Sequence, residues 1–242
     1  MGQLVDGQWL TDDQLQAAQV LADDKADGVF ERASAGFRNW VTTDGAPGPS
    51  GVGGFRAEDN RYHLFAALNC PWAHRTLILR QVKSLESVLS VSLAAPVRTE
   101  QGWVFDVADG DRSDSMATRY TEPLLGLSAL HQLYTRSASD YTGRVTVPVL
   151  WDKYTGAIVS NESADIVRML NGAFNILTGY TVGYYPATRA AEIDQLNEFI
   201  YERINNGVYK AGFARTQDAY NSAVTALFDA LDTLEALSLI HI

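Results

Sequence analysis

The chain has 242 residues, of which 46% are hydrophobic and 20% are charged, and its formal net charge is −10 at pH 7. This composition is typical of a globular protein and excludes an extensively disordered one. An acidic chain lacks the clustered Lys and Arg side chains that neutralise phosphates, so we expect no nucleic-acid partner. No stretch reaches the roughly 18 apolar residues of a membrane span, and the N-terminus has no signal-peptide pattern. We therefore expect no membrane partner and a cytoplasmic location.

Residues 1–60 are predicted to form an N-terminal extension. The segment is polar, and its DGAPGPSGVGG run at 44–54 has no hydrophobic periodicity. Runs rich in Gly, Pro and Ser are typical of loops and linkers. The first domain is therefore expected to begin at about residue 61.

A β-α-β unit is predicted next. RYHLFAAL at 61–68 is a short apolar run typical of a buried strand, and NCPW then begins a helical pattern that continues to about Leu85. LSVSLAAPV at 89–97 predicts a second strand. This order of elements favours parallel pairing of the two strands with a right-handed crossover.

The second half of this domain follows a long insert at about 98–144, which contains QGWVFDVADGDRSDS and a helical stretch around LLGLSALHQLYTRS. RVTVPVLWDKYTGAIVS at 144–160 predicts two strands joined by a Lys-Tyr-Thr-Gly turn, and NESADIVRMLN begins another helix. The order β-α-β, insert, β-β-α is that of a thioredoxin-type α/β domain. We place this domain at 61–180.

From about residue 188 the pattern predicts helices only. Apolar residues recur at helical spacing in two segments, and they are Ile193, Leu196, Ile200, Ile204, Val224, Leu227, Leu231 and Leu234. The unit at 188–242 has few residues for an independent core, and its SLIHI tail carries neither a cap nor a charge. We therefore expect an incomplete all-α domain.

Cys70 is the only cysteine of the chain and lies where the first strand gives way to a helix. Backbone N–H groups and the helix dipole at such a point favour a thiolate, and Pro71 fits the first helical turn because a helix cannot use its missing N–H. Ala73 occupies the position at which a dithiol oxidoreductase has its second cysteine. A mixed disulfide at Cys70 must therefore be released by an external thiol, and glutathione is the abundant small thiol of the cytosol. The alternative is a small buried hydrophobic residue.

Val147 and Pro148 form a second candidate feature, because a proline is out of place inside a strand. A cis peptide bond would bend the strand and leave the Val147 backbone free to pair with a ligand. In thioredoxin-type domains this segment faces the motif cysteine. The alternative is a proline on an edge strand.

Glu162 and Ser163 form a third feature, at the start of a predicted helix. A carboxylate there can hold an ammonium group, while a hydroxyl and the helix N-terminus can hold a carboxylate. The pair is therefore suited to an amino-acid-like head group. The alternative is an ordinary helix cap, with Ser160 or Asn161 as the N-cap residue.

No metal site is expected. Cys70 and His74 lie one helical turn apart and supply only two ligands, which do not complete a four-coordinate zinc site. His63 and His74 are predicted to be structural or exposed.

Five segments, in the order NCPWAHRT, GWVF, GRVTVPVLWDK, IVSNES and NNGVYKAGFA, resemble the Xi class of glutathione transferases, the glutathionyl-hydroquinone reductases. The resemblance extends from residue 1 to about 237. It implies a thioredoxin-like N-terminal domain followed by the all-α domain of a glutathione transferase. It also implies reduction of S-glutathionyl hydroquinones to hydroquinones, with glutathione as co-substrate and glutathione disulfide as a product. Complete members continue for several more helices and are expected to be homodimers.

The resemblance also implies roles for individual residues. Cys70 would be the nucleophile, and the contacts to glutathione would be Trp103, Arg136, Val147, Glu162 and Ser163. Tyr209, with Tyr201, would face the hydroquinone from the helical domain. Without the resemblance, Trp103 reads equally as a core aromatic and Tyr209 as a helix-surface residue.

Two other functions fit the same residues. The first is a general glutathione-dependent thiol transferase or dehydroascorbate reductase, which would use the same cysteine and the same glutathione site. The second is a non-catalytic module that retains the fold. The second alternative predicts an ordinary, unreactive thiol at Cys70.

Overall fold

The computed structural model of the chain describes residues 2–18, 28–105 and 117–239. The chain divides into two compact units, of which the first is Met1–Val20 with Ala35–Tyr184 and the second is Leu21–Ser34 with Tyr185–Ile242. The later division falls between the predicted end of the first domain at 180 and the predicted start of the helical unit at 188. Among the described residues, no helix is both long enough and apolar enough to cross a membrane.

The first unit begins with a hairpin and a short helix, which are β1 (Gln3–Val5), β2 (Gln8–Leu10) and α1 (Asp12–Ala17). Thr11 caps α1 in a capping box with Gln14. Leu4 is fully buried and exchanges two backbone hydrogen bonds with Gly143, of 3.0 and 2.9 Å. The beginning of the predicted extension is therefore packed into the first unit.

The remaining elements of the first unit are β3 (Tyr62–Ala66), α2 (Pro71–Val82), β4 (Leu89–Leu93), α3 (His131–Ser137), β5 (Val149–Asp152), β6 (Ala157–Ser160), α4 (Ser163–Gly172) and α5 (Asn175–Thr178). The last four strands form one sheet in the order β4-β3-β5-β6. β3 is parallel to β4 and antiparallel to β5, and β5 is antiparallel to β6. The predicted order β-α-β, insert, β-β-α is confirmed, and it gives a thioredoxin-like sheet.

The extension also adds a strand-like segment beside β6. The Asn39 N–H donates to the Val159 carbonyl at 2.9 Å, and the Asn161 N–H donates to the Phe37 carbonyl at 3.1 Å. Residues 44–54 contain no helix or strand, as predicted. The predicted boundary near residue 60 therefore does not separate two compact units, because 35–60 pack with the sheet that follows them.

The insert is less helical than its sequence predicts. The structure has a 3₁₀ turn at Ala117–Tyr120 and only α3 from the expected stretch at 124–137. The carboxylate of Glu122 accepts hydrogen bonds of 2.9 to 3.1 Å from the N–H groups of Leu124, Leu125 and Leu127. Those N–H groups are therefore unavailable to a helix. Part of the predicted insert, 106–116, lies outside the described residues.

His63 on β3 is buried between two serine hydroxyls of β4. Its Nδ1 lies 2.7 Å from Ser90 Oγ, and its Nε2 lies 2.9 Å from Ser92 Oγ. Burial lowers the pKa of His63 from 6.5 to about 4, and the charges of Lys153 and Arg80 act in the same direction. His63 is therefore a neutral structural residue, as predicted.

This histidine makes stability depend on pH. Between pH 6.5 and about 4 the unfolded chain binds a proton at His63 that the folded chain does not. The contribution is therefore fully present above pH 6.5 and is lost as the pH falls towards 4. Urea unfolding of the wild type and of His63→Gln should show a difference that shrinks by about 2–3 kcal/mol from pH 7 to pH 4.5. Parallel pH dependences of the two proteins would contradict this assignment.

The second unit contains, in its described residues, α6 (Ala190–Ile200), a π-helical turn at Tyr201–Asn205, α7 (Gly207–Gly212) and α8 (Gln217–Leu239). The prediction of helices is confirmed there, but the predicted apolar stripes are only partly buried. Leu227 is buried, whereas Leu196 and Leu231 expose 42% and 39% of their surface. A unit with so few residues cannot cover both faces of its helices. Residues 240–242 of the SLIHI tail lie outside the described residues.

Candidate active site

The ends of four strands meet at one edge of the sheet in the first unit. β3 and β4 are parallel, so they end together at Ala66 and Leu93. β5 is antiparallel to β3 and begins at this edge with Val149, and β6 is antiparallel to β5 and ends there at Ser160. The topology therefore brings together the segment after β3, the segment before β5 and the segment after β6. These segments contain Cys70, Val147 with Pro148, and Glu162 with Ser163.

Cys70 is the N-cap residue of α2, with Pro71 as the first helical residue. Its side chain makes no cap hydrogen bond, and its backbone carbonyl accepts the first helical bond from His74 at 2.8 Å. Cys70 therefore lies at the N-terminus of α2, where the backbone N–H groups of the first turn have no helical acceptors. Ala73, at the position where a dithiol oxidoreductase has its second cysteine, is fully buried.

The peptide bond between Val147 and Pro148 is cis, as predicted. The Val147 carbonyl oxygen lies 3.6 Å from Cys70 Sγ and accepts the thiol hydrogen. Among the described residues, no backbone group accepts a hydrogen bond from the Val147 N–H. This N–H group is the one that pairing with an extended peptide ligand requires.

Glu162 is itself the N-cap residue of α4, because its Oε1 accepts from the Ala164 N–H at 3.0 Å. The alternative with Ser160 or Asn161 as the N-cap is wrong. The Ser160 hydroxyl accepts from the Glu162 N–H at 3.1 Å, and the Asn161 side chain accepts from the Phe37 N–H at 3.0 Å. Glu162 therefore combines a cap with a carboxylate that is still partly exposed, at 22% of its side chain.

Arg75 belongs to this cluster, although the sequence analysis did not single it out. It lies on α2, and its Nε and Nη2 atoms are 3.2 and 2.6 Å from Ser163 Oγ. Its Nη2 is also 3.9 Å from Glu162 Oε1. The only sequence signal was its place in NCPWAHRT, just over one helical turn beyond Cys70. That spacing does not reveal a contact with residues about ninety positions away.

Trp103 lies in a segment that pairs with the residues just after β4, because the Ala95 N–H donates to the Val104 carbonyl at 2.8 Å. The side chain of Trp103 is buried, and the Arg98 guanidinium lies 3.9 Å from the centre of its ring. Arg136 is exposed in the last turn of α3. In the described part of the chain no hydrogen bond or ion pair joins Arg136 to Cys70 or to the start of α4, so its contact with glutathione stays a prediction.

Tyr209 and Tyr201 lie in the second unit. Tyr209 on α7 packs against Phe30 and Phe213, with ring centroids 6.3 and 6.1 Å away. The Arg32 guanidinium lies 4.2 Å from the centre of the Tyr209 ring. Phe30 and Arg32 belong to the predicted extension, which therefore contributes to the helical unit. Tyr201 begins the π-helical turn and exposes 38% of its surface.

Metal ligands do not cluster in the described ranges, where no group of three or more His, Cys, Asp or Glu side chains could hold a metal ion. His74 is exposed on α2, as predicted.

The fold and this thiol site define a class of protein. The family model for the glutathione S-transferase N-terminal domain matches residues 69–173, which begin just before Cys70 and include Val147 and Ser163. In the described residues that follow the thioredoxin-like sheet, the regular elements are all helical. The chain is therefore a glutathione transferase with a cysteine at the start of α2.

Its relatives identify the family within that class. The chain is 49% identical to the glutathionyl-hydroquinone reductase YqjG of Escherichia coli over 98% of this chain and 68% of that protein, and 42% identical to the glutathionyl-hydroquinone reductase PcpF of Sphingobium chlorophenolicum over 97% and 67%. The glutathione-bound structure of YqjG matches with a TM-score of 0.79 at 47% identity, over 97% of this chain and 66% of that one. The Xi transferase of Phanerochaete chrysosporium matches with a TM-score of 0.78 at 44% identity, over 88% and 65%. This chain belongs to the Xi class of glutathione transferases, the glutathionyl-hydroquinone reductase family, and spans about two thirds of the length of these relatives.

Proposed function

We propose that this protein reduces S-glutathionyl hydroquinones to hydroquinones and releases glutathione disulfide. The observation that carries the proposal is a single thiol, Cys70, at the N-terminus of α2 and 3.6 Å from the Val147 carbonyl, with buried Ala73 in place of a second cysteine. Such a site forms a mixed disulfide but cannot resolve it internally. The names of the relatives, which are glutathionyl-hydroquinone reductases, support the same reaction.

The reaction proceeds in two steps through Cys70. The Cys70 thiolate attacks the glutathionyl sulfur of the aryl thioether, the carbon–sulfur bond breaks, and the ring carbon takes up a proton. The hydroquinone leaves, and Cys70 remains as a mixed disulfide with glutathione. A second glutathione thiolate attacks this disulfide, so that glutathione disulfide leaves and the Cys70 thiolate is restored. Two sulfur atoms are oxidised and one ring carbon is reduced, which balances the electrons.

The proposed contacts with glutathione involve residues that follow β3, precede β5 and follow β6, together with Trp103 and Arg136. The Val147 backbone pairs with the cysteinyl unit, which places the glutathionyl sulfur beside Cys70. Glu162 holds the ammonium of the γ-glutamyl unit and Ser163 holds its carboxylate. Trp103 packs on the bound glutathione, and Arg136 is a more distant contact to its carboxylates. These assignments follow the family resemblance together with the polar start of α4.

Hydroquinone binding is assigned to residues of the helical unit. Tyr209 and Tyr201 face the hydroquinone from there. We assign glutathione binding to the domain at 61–180 and acceptor binding to the unit at 188–242. We further propose that the protein forms a homodimer and is located in the glutathione-rich cytoplasm.

The experiment compares two substrates under one glutathione concentration. The proposed function predicts faster turnover of a glutathionyl-hydroquinone than of a simple alkyl mixed disulfide of glutathione. The hydroquinone released and the glutathione disulfide formed should be equimolar, because one of each leaves in every cycle. Turnover of the mixed disulfide alone would instead identify a general thiol transferase.

A further inference from the structure

We propose that Arg75 is a positioning residue of the glutathione site. It fixes the Ser163 hydroxyl as a donor to the α-carboxylate of the γ-glutamyl unit and separates that carboxylate from Glu162. The inference rests on the proposed function, because it assumes that the γ-glutamyl unit binds at the start of α4. Arg75 lies on α2, the helix that begins at the nucleophile, and it acts through Ser163 at the start of α4.

The hydrogen bonds of Arg75 set the direction of the Ser163 hydroxyl. Its Nε and Nη2 atoms both donate to Ser163 Oγ, at 3.2 and 2.6 Å. A serine hydroxyl has two acceptor lone pairs and one hydrogen, so two incoming N–H donors occupy both lone pairs. The hydroxyl can then act only as a donor. In the described part of the chain no protein atom accepts that hydrogen, which suits an incoming carboxylate oxygen.

The charge of Arg75 allows a zwitterion to bind beside an acidic residue. Its Nη2 lies 3.9 Å from Glu162 Oε1, and Ser163 follows Glu162 directly in the chain. Without a cation at this point, the Glu162 carboxylate would repel the carboxylate of the ligand while attracting its ammonium. The guanidinium is the cation between the two acidic groups, so opposite ends of one amino-acid head group can be held side by side.

The position of Arg75 also couples binding to the thiol. Arg75 lies on α2, whose N-cap residue is Cys70, and it contacts Ser163 and Glu162 at the start of α4. Its guanidinium additionally packs 5.1 Å from the centre of the Trp72 ring, which holds the side chain over its own helix. A glutathione held through Arg75 is therefore aligned with the helix that carries the nucleophile.

The test measures the rate at which Cys70 forms a mixed disulfide, by intact mass, against the concentration of the disulfide reagent. With glutathione disulfide, Arg75→Gln should raise the half-saturating concentration at least about tenfold, as the loss of a charged hydrogen-bond donor predicts. The limiting rate should fall by a smaller factor, because Cys70 is unchanged and only the alignment of the bound disulfide is affected. Arg75→Lys keeps the charge but not the paired donors, and should lie between Arg75→Gln and the wild type.

A second reagent separates positioning from general damage. The disulfide of 4-aminobutanoyl-Cys-Gly lacks the α-carboxylate, so wild type and Arg75→Gln should differ with it by less than about twofold. Arg80→Gln is the matched control, because Arg80 lies on the same helix but donates to the Leu89 carbonyl at 2.6 Å. It should leave the ratio between the two reagents unchanged.

The outcomes distinguish this proposal from the function on which it rests. An equal rise for both reagents, or no rise for either, would overturn the role of Arg75 while leaving the monothiol mechanism intact. Absence of any adduct on folded wild-type protein would overturn the proposed function and this inference with it.

Discussion

Cys70→Ser is expected to lower the turnover of a glutathionyl-hydroquinone at least about a thousandfold. The protein has no other cysteine, so no second thiol can take over the attack on the glutathionyl sulfur. A serine hydroxyl at the same helix N-terminus is not ionised at neutral pH and cannot form a disulfide. The hydroquinone released per enzyme, followed by liquid chromatography, measures the loss.

The thermal stability of Cys70→Ser provides the control for this variant. Cys70 is 9% exposed, its side chain makes no cap hydrogen bond, and serine differs from cysteine by one atom. The thermal midpoint should therefore shift by no more than a few degrees, as expected for about 1 kcal/mol. A well-folded Cys70→Ser protein with full reductase activity would exclude Cys70 as the nucleophile.

Asp152→Ala is expected to destabilise the protein by about 3–5 kcal/mol, because it leaves a buried charge without its partner. Asp152 receives paired hydrogen bonds of 2.9 and 2.6 Å from Arg61, and their side chains are 0% and 8% exposed. Burial opposes ionisation of this carboxyl, but hydrogen bonds from Arg61, Thr155 and Tyr154 outweigh it and hold the pKa of Asp152 below 3.8. Urea unfolding followed by circular dichroism measures the loss.

Glu58→Ala is the matched control, since Glu58 pairs with the same arginine at 3.7 Å but is 50% exposed. It should cost no more than about 1 kcal/mol. The double replacement Arg61→Met with Asp152→Leu should be less destabilising than Asp152→Ala, because it leaves no unpaired charge. Equal losses for Asp152→Ala and Glu58→Ala would show that the buried pair has no special role.

The order of strands and helices along the chain and the position of the thiol could be predicted because their signals are local. The apolar run before NCPW, the single cysteine and the proline inside VTVPVL are each contained in fewer than ten residues. The structure confirms β3, the start of α2 at Pro71 and the cis bond before Pro148. Short segments with strong backbone constraints are those in which local propensity and tertiary structure agree.

The missed features depend on contacts between distant parts of the chain. Arg75 meets Ser163 across 88 positions, and Phe37 meets Asn161 across 124. Neither contact leaves a periodic pattern, because each depends on which faces two separate elements turn towards one another. The Glu122 turn was not predicted for another reason. Its carboxylate accepts hydrogen bonds from the N–H groups of Leu124 and Leu127, which lie in a segment whose apolar pattern predicts a helix.

The most direct test of the monothiol account is the intact mass of the folded protein after incubation with glutathione disulfide. The account predicts one added glutathione, located on Cys70, which is removed by excess reduced glutathione and is not formed by Cys70→Ser. A folded wild-type protein that gains no glutathione, or gains one that reduced glutathione cannot release, would contradict it.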